Sequence, residues 1–151
     1  MRKIVYLLLL IVPLSLFSAT MNKNGMVVKE SQNNVSKTIE LLTTVAQKNG
    51  VEGFTIIDHK KNAFLRSSIN IKENKLIIFS EANISVGLLK SDPAIGLDLP
   101  LKVLVYMDQD SKVYIKYRDP RFFKNIYNIG DAKEAIIMSQ MIDEFTNFSL
   151  K

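Results

Sequence analysis

Lys102-Val-Leu-Val-Tyr-Met107, Asp108-Gln-Asp-Ser111 and Val113-Tyr-Ile-Lys-Tyr-Arg118 carry the reading of this chain's fold. The first run is apolar after its lysine, the last alternates, and the polar tetrapeptide between them is a turn, so the stretch predicts a β-hairpin. In the second strand Val113, Ile115 and Tyr117 share one side of the pleat, while Tyr114, Lys116 and Arg118 share the other. One side therefore faces a core and the other faces water, as in an antiparallel sheet covered on a single face.

On the amino-terminal side, Gly25 to Ser31 reads as a strand. Asn33 and Asn34 are good N-cap types, and Val35, Ile39, Leu42, Val45 and Ala46 follow at helical spacing, closed by Asn49-Gly50. Phe54 to His59 alternates as a strand and leads into a basic turn through Lys60, Lys61 and Asn62. Asn70 to Lys75 is polar and turn-like. Leu76 to Phe79 reads as a buried strand, and Ile84 to Lys90 as a short helix stopped at Asp92-Pro93. Beyond the hairpin, Asp131-Ala-Lys-Glu134 has the spacing of a capping box, and Ala135, Met138, Ile142 and Phe145 continue a helical stripe. The order is strand, helix, two strands, short helix, hairpin, helix. It predicts a two-layer α+β domain whose mixed or mostly antiparallel sheet is covered by helices.

The 151 residues suffice for one core and are short for two. Cysteine is absent, which excludes disulfides, thiolate nucleophiles and cysteine-held clusters. The single histidine, His59, excludes sites that need two imidazoles from one chain. Met1 to Ala19 has the layout of a secretory leader: Arg2-Lys3, the apolar run from Ile4, then Ser15, Ser18 and Ala19. The apolar run is shorter than the roughly 20 residues of a membrane span. We therefore expect a signal peptide over 1–19, a domain over 25–148, a periplasmic or secreted product, and no stable membrane insertion after cleavage. Without Arg2 and Lys3 the chain has 18 basic and 15 acidic residues, a net of +3. The basic residues are dispersed, which argues against nucleic acid as a partner.

Asp92-Pro-Ala-Ile-Gly-Leu-Asp-Leu-Pro-Leu-Lys-Val-Leu-Val105 closely resembles the signature of the family called domain of unknown function 302. Ile57-Asp58-His59 and Tyr117-Arg118-Asp119-Pro120 resemble the family's flanking motifs. The chain departs from the family pattern at Ser85-Val86-Gly87 and at Tyr106, where many members have a Gly-Thr-Pro-like sequence and a tryptophan. The resemblance implies an α+β fold and a homodimer, with no agreed activity; the sequence leaves the cofactor unknown.

Asp58 and His59 are adjacent acid and imidazole at an expected strand end, although neighbours in a strand point to opposite faces. Asp98 lies in the proline-bounded segment, Lys102 opens the strand beside it, and Tyr117 and Asp119 follow the hairpin. These six residues form the expected ligand site, with Tyr114, Lys116, Arg118 and Arg121 as a basic and aromatic cluster suited to an anion. Met138, Met141 and Phe145 are expected as core or dimer contacts. Structural roles compete at each position: Asp98 can satisfy its own loop's amides or pair with Lys102. No catalytic constellation or metal motif is legible. The leading expectation is a homodimeric small-molecule or anion binding or sensing module, more plausibly not an enzyme. The alternatives are a hydrolase or isomerase with His59 as general base and Asp58 or Asp119 orienting it, and a haem binder with His59 as axial ligand.

Overall fold

The alternation of the hairpin extends into a five-stranded antiparallel sheet. The computed structural model describes residues 20–151 except Glu52 and Glu81, so the leader over 1–19 lies outside the described residues. The strands are β1 (Met26–Ser31), β2 (Gly53–Asp58), β3 (Asn74–Ser80), β4 (Lys102–Met107) and β5 (Val113–Arg118). Their order in the sheet is β1-β5-β4-β3-β2, and every pairing is antiparallel. The α+β expectation holds, and the mixed sheet it allowed is resolved as wholly antiparallel. β1 and β2, consecutive in sequence, occupy opposite edges.

That arrangement needs a long connection, supplied by helix α1 (Val35–Lys48). Asn34 caps it by accepting a hydrogen bond from the Lys37 N–H at 2.8 Å. Gly50, at φ +83°, takes the left-handed conformation expected just past the helix end. Helix α4 (Lys133–Phe148) lies beside α1. The stripes read from sequence, Val35, Ile39, Leu42 and Ala46 on α1 and Ala135, Met138, Ile142 and Phe145 on α4, are all buried. They meet Val27, Ile77, Phe79, Val103, Val105, Ile115 and Tyr117 from one face of the sheet. Phe79 and Phe145 bring their ring centroids within 6.4 Å of each other across the two layers.

Two local readings are corrected. His59 does not end a strand, and Lys60 to Asn62 is not a turn; helix α2 runs from His59 to Ser67. Asp58 caps it, accepting from the Lys61 N–H at 2.9 Å. The helix buries none of its residues, so no apolar stripe marks it in the sequence. Asp131 does not close a capping box: α4 begins after Ala132 with no side-chain cap, and the Asp131 carboxylate takes the Lys124 ammonium at 2.6 Å instead. Helix α3 (Ala82–Ser91) stops at Asp92-Pro93 as read and is followed by a 3-10 turn over Pro93–Leu97, and a second such turn spans Pro120–Asn125. Each begins with proline, whose fixed φ suits a helical first turn and whose missing N–H costs nothing there.

Candidate functional site

Among the described residues, helices pack their apolar stripes on one face of the sheet only. On the other face, β1 places Met26 and Val28, β5 places Lys116 and Arg118, β4 places Lys102 and Leu104, and β3 places Leu76, as the period of two and the strand register require. Toward the end of the sheet where Arg118 and Lys102 lie, this face sinks into an open groove of about 340 Å³. Met26, Leu76 and Leu104 give it an apolar lining, and Lys102, Lys116, Arg118 and Asp98 supply its charge.

The polar partners in the groove are few. Asp98 accepts from the Tyr127 hydroxyl at 2.6 Å and faces the Arg118 guanidinium at 3.8 Å. The hydrogen bond to Asp98 pushes the Tyr127 phenol up to about 12. Lys102 does not pair with Asp98; its ammonium donates to the Leu97 carbonyl at 3.1 Å. Lys116 has no ion-pair partner among the described residues. The groove thus holds three cations against one carboxylate, and that carboxylate is already shared between Tyr127 and Arg118.

The loop below the groove owes its shape to Asp92 rather than Asp98. The Asp92 carboxylate accepts from the Ala94 N–H at 3.0 Å, starting the 3-10 turn, and from the Asn128 N–H at 2.9 Å across the chain. The reading in which Asp98 satisfies its own loop's amides is therefore corrected in favour of Asp92. This frees the Asp98 carboxylate to line the groove.

The six expected residues separate into three places. Asp98 and Lys102 meet in the groove. Tyr117 borders it, but its ring is buried on the helix side and its hydroxyl donates to Asp143 at 3.1 Å. Asp119 is buried just beyond β5, where it accepts from the Arg121 backbone N–H at 2.9 Å and from the Arg121 guanidinium. Burial pushes the Asp119 carboxyl up, but the bonds from Arg121 outweigh it and hold the group below the usual carboxylate range. Asp58 and His59 sit at the opposite end of the sheet, since Asp58 pairs with Lys75 of β3 whereas Lys102 pairs with Ile78. His59 is exposed at the start of α2, while Asp58 caps that helix and faces Lys75 at 3.6 Å. The Lys61 backbone N–H is the main cause of the lowered Asp58 pKa.

A polar cluster not anticipated from sequence lies on the covered face. Lys29 is buried, and its ammonium donates to Asp143 at 2.6 Å, Asn147 at 2.7 Å and Thr146 at 2.8 Å, all on α4. It also stands 5.5 Å from the Tyr117 ring centroid, within cation–π range. Burial pulls the Lys29 pKa down against the opposing pull of Asp143. The available signal was phase: Lys29 alternates with Val27 and Ser31, on the side of β1 that the core requires.

The site and fold together define an α+β domain with a helix-free sheet face and a cationic groove in it. The sequence profile of the family described as "Domain of unknown function DUF302" matches residues 27–146, and the chain belongs to that family. The crystal structure of an uncharacterized conserved DUF302 protein from Bacillus stearothermophilus has the same fold, with a TM-score of 0.68 over 84% of this chain and 98% of that one at 13% identity. Curated relatives from Brucella suis and Brucella abortus, each named "Fluoride-specific ion channel FluC 1", are 28% identical over 123 residues. The match covers 82% of this chain but 48% and 45% of those proteins, so the chain spans about half the length of the curated relatives it matches. Among the described residues, no helix is long and apolar enough to cross a membrane.

Proposed function

We propose that the domain is an exported binding or sensing module for a small anion, working as a homodimer, with the helix-free groove as its site. The observation that carries this reading is the excess of cations in that groove: Lys102, Lys116 and Arg118 stand around an apolar lining, with only Asp98 opposing them. Its volume of about 340 Å³ falls at the small end of ligand sites. Relatives in which a segment like this chain makes up about half of a protein named as a fluoride-specific ion channel support an anion as the ligand class. Arg118 and Lys102 supply charge-assisted hydrogen bonds, and the apolar lining limits hydration of the bound ion.

Titration of the purified protein with fluoride, chloride, phosphate and acetate, followed by amide chemical shifts, tests the site. Saturable shifts should centre on β4 and β5, and Arg118→Ala or Lys102→Ala should weaken binding by about tenfold to a hundredfold. Binding unchanged in both variants would remove the groove from the proposal. Native mass spectrometry of the protein recovered from the exported fraction tests the rest: a mass lacking Met1 to Ala19, doubled, is expected. A monomer, or a mass that keeps those residues, would overturn the dimer or the export reading respectively.

A further inference from the structure

Helix α2 is an anomaly in this fold. It has nine residues, and isolated helices shorter than about 12 residues are marginal in water, so short helices normally owe their stability to a buried face. This one buries no residue at all. Instead it presents Phe64 at 58% and Leu65 at 68% exposure, and the segment after it adds Ile69 at 58%. On the helical wheel Lys60 lies four residues before Phe64 and Lys61 four before Leu65, so two lysine stems and two large apolar side chains share one arc.

The charge of the region has the same bias. From His59 to Lys75 the chain carries five Lys and Arg residues against Glu73 alone, a net of +4, while the whole chain after Ala19 nets +3. The basic residues, dispersed along the sequence taken as a whole, are thus concentrated here. Beside the helix lies an open hollow of about 400 Å³ lined by Lys60, Asn70, Ile71, Lys72 and Glu73.

We infer that α2 and the segment through Ile71 form a peripheral docking surface for a bilayer containing anionic lipid. Exposed Phe64 and Leu65 can enter the headgroup region while the stems of Lys60 and Lys61 beside them snorkel, their ammonium groups reaching lipid phosphates. A second copy of the chain is a poor occupant, because it would bring two such cationic surfaces together. The surface lies at the Asp58 end of the sheet, away from the Lys102 end of the groove, so this inference stands apart from the anion reading.

The test uses the chain from Thr20, which contains the whole described fold, and vesicles of phosphatidylcholine alone or mixed equally with phosphatidylglycerol. Co-sedimentation should occur with the mixed vesicles only. Lys60→Ala with Lys61→Ala should weaken it about thirtyfold, from about 1 kcal/mol per lysine near an anionic surface. Phe64→Ser with Leu65→Ser should weaken it at least about tenfold through lost apolar burial. Circular dichroism should show both variants folded, since neither touches a buried residue. The chain contains no tryptophan, so Leu65→Trp gives a single reporter, expected to shift to the blue on adding mixed vesicles. Equal binding to both lipids, no binding, or loss with the lysine pair but not with the Phe64 and Leu65 pair would each overturn the inference. So would a change of oligomeric state in the Phe64 and Leu65 variant, which would assign the patch to a protein interface.

Discussion

Replacing Asp143 by alanine should cost the fold about 2–3 kcal/mol, and replacing its partner Lys29 by methionine about 1 kcal/mol or less. The asymmetry follows from where the two charges sit. The Lys29 side chain is 3% exposed and that of Asp143 is 54% exposed. Breaking a buried ion pair by removing one partner costs about 3–5 kcal/mol, because a charge is left behind in a low dielectric. In Asp143→Ala the stranded charge is the buried ammonium, left with the neutral Thr146 and Asn147 side chains, the backbone carbonyl of residue 143, the Tyr117 ring and the more distant Asp119 carboxylate. The partial exposure of the carboxylate already weakens the pair, so the lower part of that range, or a little below it, applies. In Lys29→Met the stem is replaced by an apolar chain of similar length on the core face, and the abandoned carboxylate turns to water. The Thr146 hydroxyl keeps its bond to the Ile142 carbonyl. Urea unfolding of the two single variants and of the double variant measures all three terms. The double variant should be more stable than Asp143→Ala alone by about 1–2 kcal/mol, because it removes the stranded charge. If Lys29→Met proves the costlier single change, or the double variant shows no recovery, the ammonium is held by a net attraction and the reasoning fails.

Asp119 gives a pH prediction. Its carboxyl is held below its ordinary value in the folded state, so the stabilisation is fully present above the unfolded pKa of about 3.9 and is lost as pH falls through the lower folded value. Arg121→Gln weakens the groups that hold it there and should move the acid-unfolding midpoint to higher pH, as followed by far-ultraviolet circular dichroism; an unmoved midpoint would mean that Arg121 does not stabilise the charged form. Gly25→Ala should destabilise by about 1–3 kcal/mol, since φ is +76° and an added Cβ would collide with the Phe122 ring. A melting temperature equal to wild type would show that Phe122 and the backbone yield freely. Phe145→Ala, at a ring 1% exposed in the centre of the core, should cost about 3–5 kcal/mol in urea unfolding, and a loss below about 1 kcal/mol would place the core elsewhere.

The parts of the fold legible in the sequence are those where burial writes a period into the chain. The hairpin and the stripes of α1 and α4 were readable because each buries one face, and the apolar positions repeat at two or at 3.6 residues. Helix α2 was not readable for the opposite reason: with nothing buried, Lys60 to Asn62 looks like a polar turn. The site divides in the same way. Lys102 is legible because it opens a strand, Asp98 because two prolines bound its segment, and alternation along β5 puts Lys116 and Arg118 on one side of the pleat. The distance from His59 to Lys102 could not be read, because it depends on strand order, and strand order is set by α1 crossing from one edge of the sheet to the other. The burial of Lys29 is not legible, since its acceptors lie 114 to 118 residues away on α4.

The attachment of β1 to the far end of the chain sets an order of events. Among the described strands β1 pairs only with β5, its Lys29 is held by α4, and the Gln32 N–H donates to the Leu150 carbonyl at 2.9 Å. The first described strand therefore waits for β5 for its backbone partner, and for α4 and Leu150 for the rest of its contacts. A nascent chain halted before α4 can pair β1 with β5 but leaves the Lys29 ammonium without its Asp143, Thr146 and Asn147 acceptors, so the strand is fully held only once the last helix is in place.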